Sequence, residues 1–142
     1  MKLAVDSSSF AKRYVQEIGS DELDRFLKSA SELAFCVILV PEVVFGLNRR
    51  LRGRALTNAD YRAVKKQLLD DVRDATVLQI TPSAVSRSVK LLEGNVLRTL
   101  DALHVACALE WQADLFVTSD KKQFKAAINT ELHSEFVGQP IS

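Results

Sequence analysis

Residues 115–128 read Leu115-Phe116-Val117-Thr118-Ser119-Asp120-Lys121-Lys122-Gln123-Phe124-Lys125-Ala126-Ala127-Ile128. The apolar and β-branched run Leu115 to Thr118 predicts a strand, and Lys121 to Ile128 predicts a helix, so Asp120 stands just beyond a strand's carboxyl end. The amino terminus has the same order. Leu3-Ala4-Val5 is a short apolar strand closed by Asp6, and Ser7, Ser8 or Ser9 can cap a helix carrying Phe10, Tyr14 and Val15 that stops at Gly19. If both strands belong to one parallel sheet, Asp6 and Asp120 share a rim.

The intervening chain continues the alternation. Ser20 caps a helix with the apolar stripe Leu23, Phe26, Leu27 and Ala30. The run Leu33 to Val40 reads as a buried strand, halted by Pro41, which opens a helix through Glu42 and Leu47. Thr57 and Asp60 resemble a capping box ahead of a helix bearing Tyr61, Val64, Leu68, Leu69 and Val72. Thr76 to Ile80 is a strand, Thr81-Pro82 starts a helix that ends at Gly94-Asn95, and a further helix covers Thr99 to Gln112. A last strand lies around Glu135 to Val137. Strands alternating with helices predict an α/β fold: a central parallel sheet of about five strands, helices on both faces and right-handed crossovers, in a single domain over residues 1–142. In such a fold ligands bind outside the carboxyl ends of the strands, where strand order reverses.

Composition narrows the class. The 142 residues are 47% hydrophobic and 26% charged with 5 Gly and 3 Pro, which excludes disordered and collagenous chains. Nineteen basic against 18 acidic residues leave a formal charge of +1, so any nucleic-acid contact must come from a local patch. No apolar run approaches the ~18 residues of a membrane span, and the first residues hold no signal region, so the expectation is a cytoplasmic protein without a membrane partner. Cys36 and Cys107 form no CxxC or zinc spacing and read as small core hydrophobes.

Four acids carry the chemical interest. Asp6 and Asp120 have the ordinary alternative of capping helices. Asp101 sits in Leu97-Arg98-Thr99-Leu100-Asp101-Ala102-Leu103-His104-Val105-Ala106, where a carboxylate either needs a cationic partner or metal, or sits favourably at a helix N-terminus. Glu42, within Pro41-Glu42-Val43-Val44-Phe45-Gly46-Leu47, poses the same question. Arg49, Arg50, Arg52 and Arg54 form the densest basic cluster; they either hold phosphates or sit at a helix C-terminus for dipole reasons. Arg98 either contacts a phosphate or pairs with a nearby acid. His104, three residues after Asp101, reads as a packed, hydrogen-bonded core histidine, with a general-base role as the alternative. Trp111, Phe116, Phe124 and Tyr61 read as packing residues.

Val5-Asp6-Ser7-Ser8, Glu42 with Gly46-Leu47, Leu97 to Ala106 and Val117-Thr118-Ser119-Asp120 together resemble the PIN-domain ribonucleases, especially the toxins of VapBC-type toxin-antitoxin pairs. The resemblance spans nearly the whole chain, and the segment Leu97 to Ala106 is its most specific part. It implies a PIN-like three-layer fold and an acidic pocket of Asp6, Glu42, Asp101 and Asp120, with Thr118 or Ser119 orienting a carboxylate or a bound water. Oxygen ligands without His or Cys suit Mg²⁺ or Mn²⁺. Arg49, Arg50, Arg52 and Arg98 become candidates for RNA binding. The implied function is a metal-dependent endoribonuclease acting on RNA such as tRNA or rRNA, restrained by a cognate antitoxin and forming a homodimer. The competing expectation is a catalytically inactive PIN-like module that binds RNA or protein. Other classes fall away: Asp6 is followed by Ser7 rather than by the second acid of a receiver domain, Ser8 stands where a haloacid-type phosphohydrolase needs an acid, and no glycine-rich phosphate loop is present.

Overall fold

The computed structural model describes residues 1–139; the tail of the expected domain, residues 140–142, lies outside the described residues. Its strands are β1 (Lys2–Val5), β2 (Glu32–Cys36), β3 (Thr76–Leu78), β4 (Leu115–Thr118) and β5 (Ser134–Phe136). They form one parallel sheet in the spatial order β3-β2-β1-β4-β5. Because side chains alternate along a strand, each strand feeds two cores. Leu3, Val5, Phe35, Leu115 and Val117 enter one core, while Ala4, Ala34, Cys36 and Phe116 lie on the opposite face, all buried.

The first core is closed by α1 (Ser7–Phe10), α2 (Ser20–Ser29), α3 (Leu39–Arg52) and α4 (Asn58–Asp74), which supply Phe10, Leu23, Leu39, Val43, Leu47 and Leu68. The second is closed by α5 (Pro82–Gly94), α6 (Thr99–Trp111) and α7 (Lys121–Ile128). Helix α6 buries Ala102 and the unbroken run His104 to Leu109, so it is apolar nearly all round, as a helix enclosed between a sheet and other helices must be. Cys107 of α6 brings its Sγ to 3.6 Å from that of Cys36 on β2; both thiols are free and buried, as expected of core residues, although nothing local in the sequence announces their contact.

Several expected boundaries move. The first helix is one short turn followed by a 3-10 turn at Ala11–Arg13, and its cap is Asp6, whose carboxylate accepts the Ser9 N–H; the serines lie within the helix. Gly19 is the N-cap of α2, displacing Ser20 to the first helical position. The run Leu33 to Val40 is shared between two elements: β2 ends at Cys36, Val37 N donates to Leu78 O at 2.9 Å, and α3 begins at Leu39. Pro41 is thus the third helical residue, where the missing N–H costs nothing because the first-turn N–H groups have no intrahelical acceptor. Strand β3 stops at Leu78, and β5 begins one residue early. The caps at Thr57 and Thr81 form as expected, accepting from Asp60 N at 3.0 Å and Ala84 N at 3.1 Å.

Gly19 has φ +98°, and a Cβ there would lie 2.7 Å from the backbone nitrogen of Gly138, whereas a Cβ on Gly46 within α3 meets nothing within 4 Å. Gly19→Ala is therefore expected to lower stability by at least about 1 kcal/mol, and Gly46→Ala to raise it by about 0.5–1 kcal/mol. Urea unfolding midpoints check the opposite signs.

Candidate active site

Strand order reverses at β1: β2 and β3 build outward on one side of it, β4 and β5 on the other. Val5 is in register with Val117, so the segments leaving β1 and β4 emerge side by side. Asp6 is buried there with a full set of donors. Its Oδ1 accepts from Ser9 N at 2.9 Å and Ser9 Oγ at 2.7 Å, and its Oδ2 from Ser8 Oγ at 2.6 Å and Thr118 Oγ1 at 2.8 Å. Such saturation makes a buried carboxylate tolerable.

Thr118 also accepts from Asp120 N at 3.0 Å and contacts Gln123 Oε1 at 2.9 Å. Ser119 turns elsewhere: its Oγ donates to Val137 O and its N–H to Ser8 Oγ. Of the two auxiliary candidates, Thr118 is the one that touches an acid of the site directly. Gln123, absent from the sequence-derived set, is fully buried; its Nε2 donates to Asp101 O at 3.0 Å and its N–H to Asp120 Oδ1 at 2.8 Å. It links the Asp101, Thr118 and Asp120 segments. The available signal was Asp120-x-x-Gln123, the spacing of a capping box, although here the amide side chain crosses to α6 rather than returning to the cap.

Glu42 lies in the first turn of α3, and Ser7 Oγ donates to its Oε1 at 2.6 Å. His104 Nε2 reaches the same oxygen at 2.5 Å and lies 3.1 Å from Ser7 Oγ. His104 is 3% exposed, and its Nδ1 has no partner among the described residues. Burial pulls the imidazole pKa down, but the hydrogen bond to Glu42 and the charges of Asp6 and Glu42 outweigh it and hold His104 above its ordinary value. Burial likewise pushes Glu42 up, and the hydrogen bonds of His104 and Ser7 leave it below its ordinary value. Both shifts favour the imidazolium–carboxylate form of the pair. Acid and hydroxyl meet the same ring nitrogen, so this is not a serine-nucleophile relay, which places them on opposite nitrogens.

Asp101 is in the first turn of α6. Burial raises its pKa, the charge of Asp120 raises it further and Asp6 adds to this, against weaker opposing contributions from Arg98 and His104. The Arg98 guanidinium lies 3.9 Å from Asp101 with its side chain 89% exposed, a loose pairing that leaves it open to solvent. The carboxylates of Asp120 and Asp6 thus both act on Asp101, a field that favours a cation, and carboxylate oxygens suit Mg²⁺ or Mn²⁺ in kind. Among the described residues, however, no group of three or more His, Cys, Asp or Glu side chains is arranged, as it stands, to hold a metal ion. The hydrogen bonds explain this: Asp6 uses both oxygens on donors, and Glu42 is drawn to His104 and Ser7.

A groove of about 1020 Å³ opens beside Glu42, lined by Ser7, Ser8, Tyr14, Phe45, Arg49, Arg50 and Leu100 among others. Arg50 is also 3.8 Å from Glu17. Arg52, at the exposed end of α3, is not among the lining residues, so of the basic cluster Arg49 and Arg50 are the ones that share the groove with Glu42.

The ion pair has a pH signature. A raised His104 contributes fully below its ordinary 6.5, a contribution lost as pH rises through the folded value. A lowered Glu42 contributes fully above its ordinary 4.5, and this is lost as pH falls through the folded value. Glu42→Gln is therefore expected to destabilise the metal-free protein most between pH 4.5 and 6.5. The loss should be about 1–3 kcal/mol, shrinking at alkaline pH. Urea unfolding in EDTA at acidic and alkaline pH checks this.

The comparisons with known proteins agree with the fold. The family model for the PIN domain matches residues 3–129. No curated protein matches the chain by sequence. Among solved structures, the chain is similar to FitAcB from Neisseria gonorrhoeae (TM-score 0.71, 13% identity, 93% of this chain and 95% of that one). It is also similar to a DNA-bound VapBC from Salmonella typhimurium (0.70, 13%, 96% and 98%) and to VapC20 of Mycobacterium tuberculosis, described as a sarcin-ricin loop cleaving toxin (0.67, 16%, 87% and 94%). At these identities the structures speak for the fold, and the match over residues 3–129 speaks for the family: the chain belongs to the PIN domain family.

Proposed function

We propose that this PIN domain is a metal-dependent endoribonuclease and the toxin of a toxin-antitoxin pair, acting in the cytoplasm. The observation that carries the proposal is the gathering of Asp6, Asp101 and Asp120 at the strand-order reversal, where burial and then the charges of Asp120 and Asp6 raise the Asp101 pKa. Asp6, Asp101 and Asp120 would hold Mg²⁺ or Mn²⁺, with Glu42 completing the set. When bound, such a cation lowers the pKa of water, aligns it and neutralises charge developing on a phosphate. The chain's own residues do the rest. Thr118 fixes Asp6, Gln123 fixes the Asp101 and Asp120 segments, and Arg49, Arg50 and the exposed Arg98 attract the RNA backbone. His104 is buried against Glu42, so it is not placed to activate a 2′-hydroxyl. Hydrolysis should accordingly leave 5′-phosphate and 3′-hydroxyl ends.

The groove supports an antitoxin segment as a partner: Phe45 stands 63% exposed in its wall, and Glu42 offers a carboxylate to a basic side chain. Exposed Val85, Val89 and Val96 on and after α5, with Leu100 on α6, support a homodimer. The second reading, a non-cleaving module that binds RNA or protein, is favoured by the absence of a ready metal-binding group among the described residues.

Asp101→Asn separates the two. Wild type is expected to cleave structured RNA with Mn²⁺ or Mg²⁺ and not with EDTA, and to gain several degrees in Tm from Mn²⁺. Asp101→Asn should lose both responses, with turnover reduced at least about a hundredfold and RNA affinity largely kept. Because the Asp101 pKa is raised, its ionised form is unfavourable in the fold at neutral pH, so Asp101→Asn in EDTA should be at least as stable as wild type. Equal cleavage by both proteins, or 2′,3′-cyclic phosphate ends, would overturn the reading.

A further inference from the structure

His104 occupies a position where an apolar residue would be expected. Its neighbours on α6, Val105 to Leu109, are buried, and its imidazole is enclosed with Nδ1 lacking any partner among the described residues. Burying a polar ring with one unpaired nitrogen opposes folding, so the gain must come from the other nitrogen. Nε2 meets Glu42, 62 residues away in the chain. His104 and Ser7 both fall on Oε1 of Glu42, and Oε2 receives no hydrogen bond from the described residues. The Glu42 side chain is 27% exposed at the wall of the groove. The carboxylate is held by one oxygen from behind and left free at the other.

We propose that His104 is a positioning residue that, with Ser7, anchors Oε1 of Glu42 and so leaves Oε2 free for a divalent cation that Asp6, Asp101 and Asp120 would hold. The inference rests on the metal-binding reading of those acids. It also accounts for Glu42 standing apart from a ready ligand group in the metal-free protein: the anchor fixes where Glu42 waits and leaves its second oxygen available to a cation that the acids would hold. Hydrogen-bonding partners behind a ligating carboxylate or imidazole set its orientation, and their removal commonly weakens metal binding 10–100-fold. A histidine present only for packing would carry no such effect.

The test is the Mn²⁺ dissociation constant, read by electron paramagnetic resonance of free Mn²⁺, for wild type, His104→Leu, His104→Gln, Ser7→Ala, Glu42→Gln, the double variants that join Glu42→Gln to His104→Leu or to Ser7→Ala, and Asp101→Asn. Tm in EDTA verifies that each is folded. His104→Leu fills the space without a donor and is expected to weaken Mn²⁺ binding about 10–100-fold, while His104→Gln, which keeps a donor, stays within about threefold of wild type. In the Glu42→Gln background His104→Leu should have no further effect, because the group it positions is gone. Should His104→Leu not fold, Ser7→Ala removes the second donor to Oε1 with little change in volume and should weaken binding severalfold, again only when Glu42 is present. Unchanged binding in the folded His104→Leu protein, equal weakening by Leu and Gln, or a loss that persists in the Glu42→Gln background would overturn the role of His104. If His104→Leu does not fold, unchanged binding by Ser7→Ala does the same. Failure of wild type itself to bind Mn²⁺ would remove the metal reading and this inference together. Binding by wild type that Asp101→Asn abolishes and His104→Leu leaves intact would remove this inference alone.

Discussion

Parallel pairing of β1 with β4 is the constraint on which the rest depends. It brings Thr118 to within a hydrogen bond of Asp6 across 112 residues of chain and places two strand exits, each with an acid, next to one another. Since β2 and β3 extend from the other edge of β1, strand order reverses at this point, and helices leave the rim on both faces of the sheet. The opening that follows is a property of the topology. What the sequence adds is its acids: Asp6 and Asp120 just beyond the ends of β1 and β4, Glu42 on α3 and Asp101 on α6.

Collecting like charges costs stability, and the hydrogen bonds show how the fold offsets it. Asp6 is surrounded by serine and threonine hydroxyls and a backbone amide; Glu42 is hydrogen-bonded by His104 and Ser7; Asp120 caps α7. Asp101 has its pKa raised, chiefly by burial and then by the charge of Asp120. The fold therefore holds Asp101 under electrostatic pressure that a bound cation would relieve. Helix α6 bears both Asp101 and His104, so one buried helix sets the strained group and the countercharge at a fixed spacing.

The alternation of elements, the five-strand parallel sheet and the acids at the ends of β1 and β4 were legible in the chain, because short apolar strands followed at once by an acid and a helix leave a local pattern. Boundaries inside a uniformly apolar run were not: from Leu33 to Val40 no polar residue marks where the strand yields to α3, and only the pairing of Val37 with Leu78 decides it. The first helix was overextended because Phe10, Tyr14 and Val15 have helical spacing, while Asp6 takes the cap and the chain tightens at Ala11. The contacts that organise the candidate site were also hidden. Gln123 meets Asp101 across two helices, His104 meets Glu42 across the core, and Cys36 meets Cys107 across the sheet-helix boundary. Each depends on tertiary packing between segments that share no local signal.

The central claim is that the carboxylates at the strand-order reversal bind a hard divalent cation. Crystals of the protein grown with Mn²⁺ and measured at a wavelength that reveals its anomalous scattering test this most directly. An anomalous peak in bonding contact with Asp6, Asp101 and Asp120, absent from Asp101→Asn crystals, is the expected result. A peak confined to other residues, or none at saturating Mn²⁺, would contradict the account.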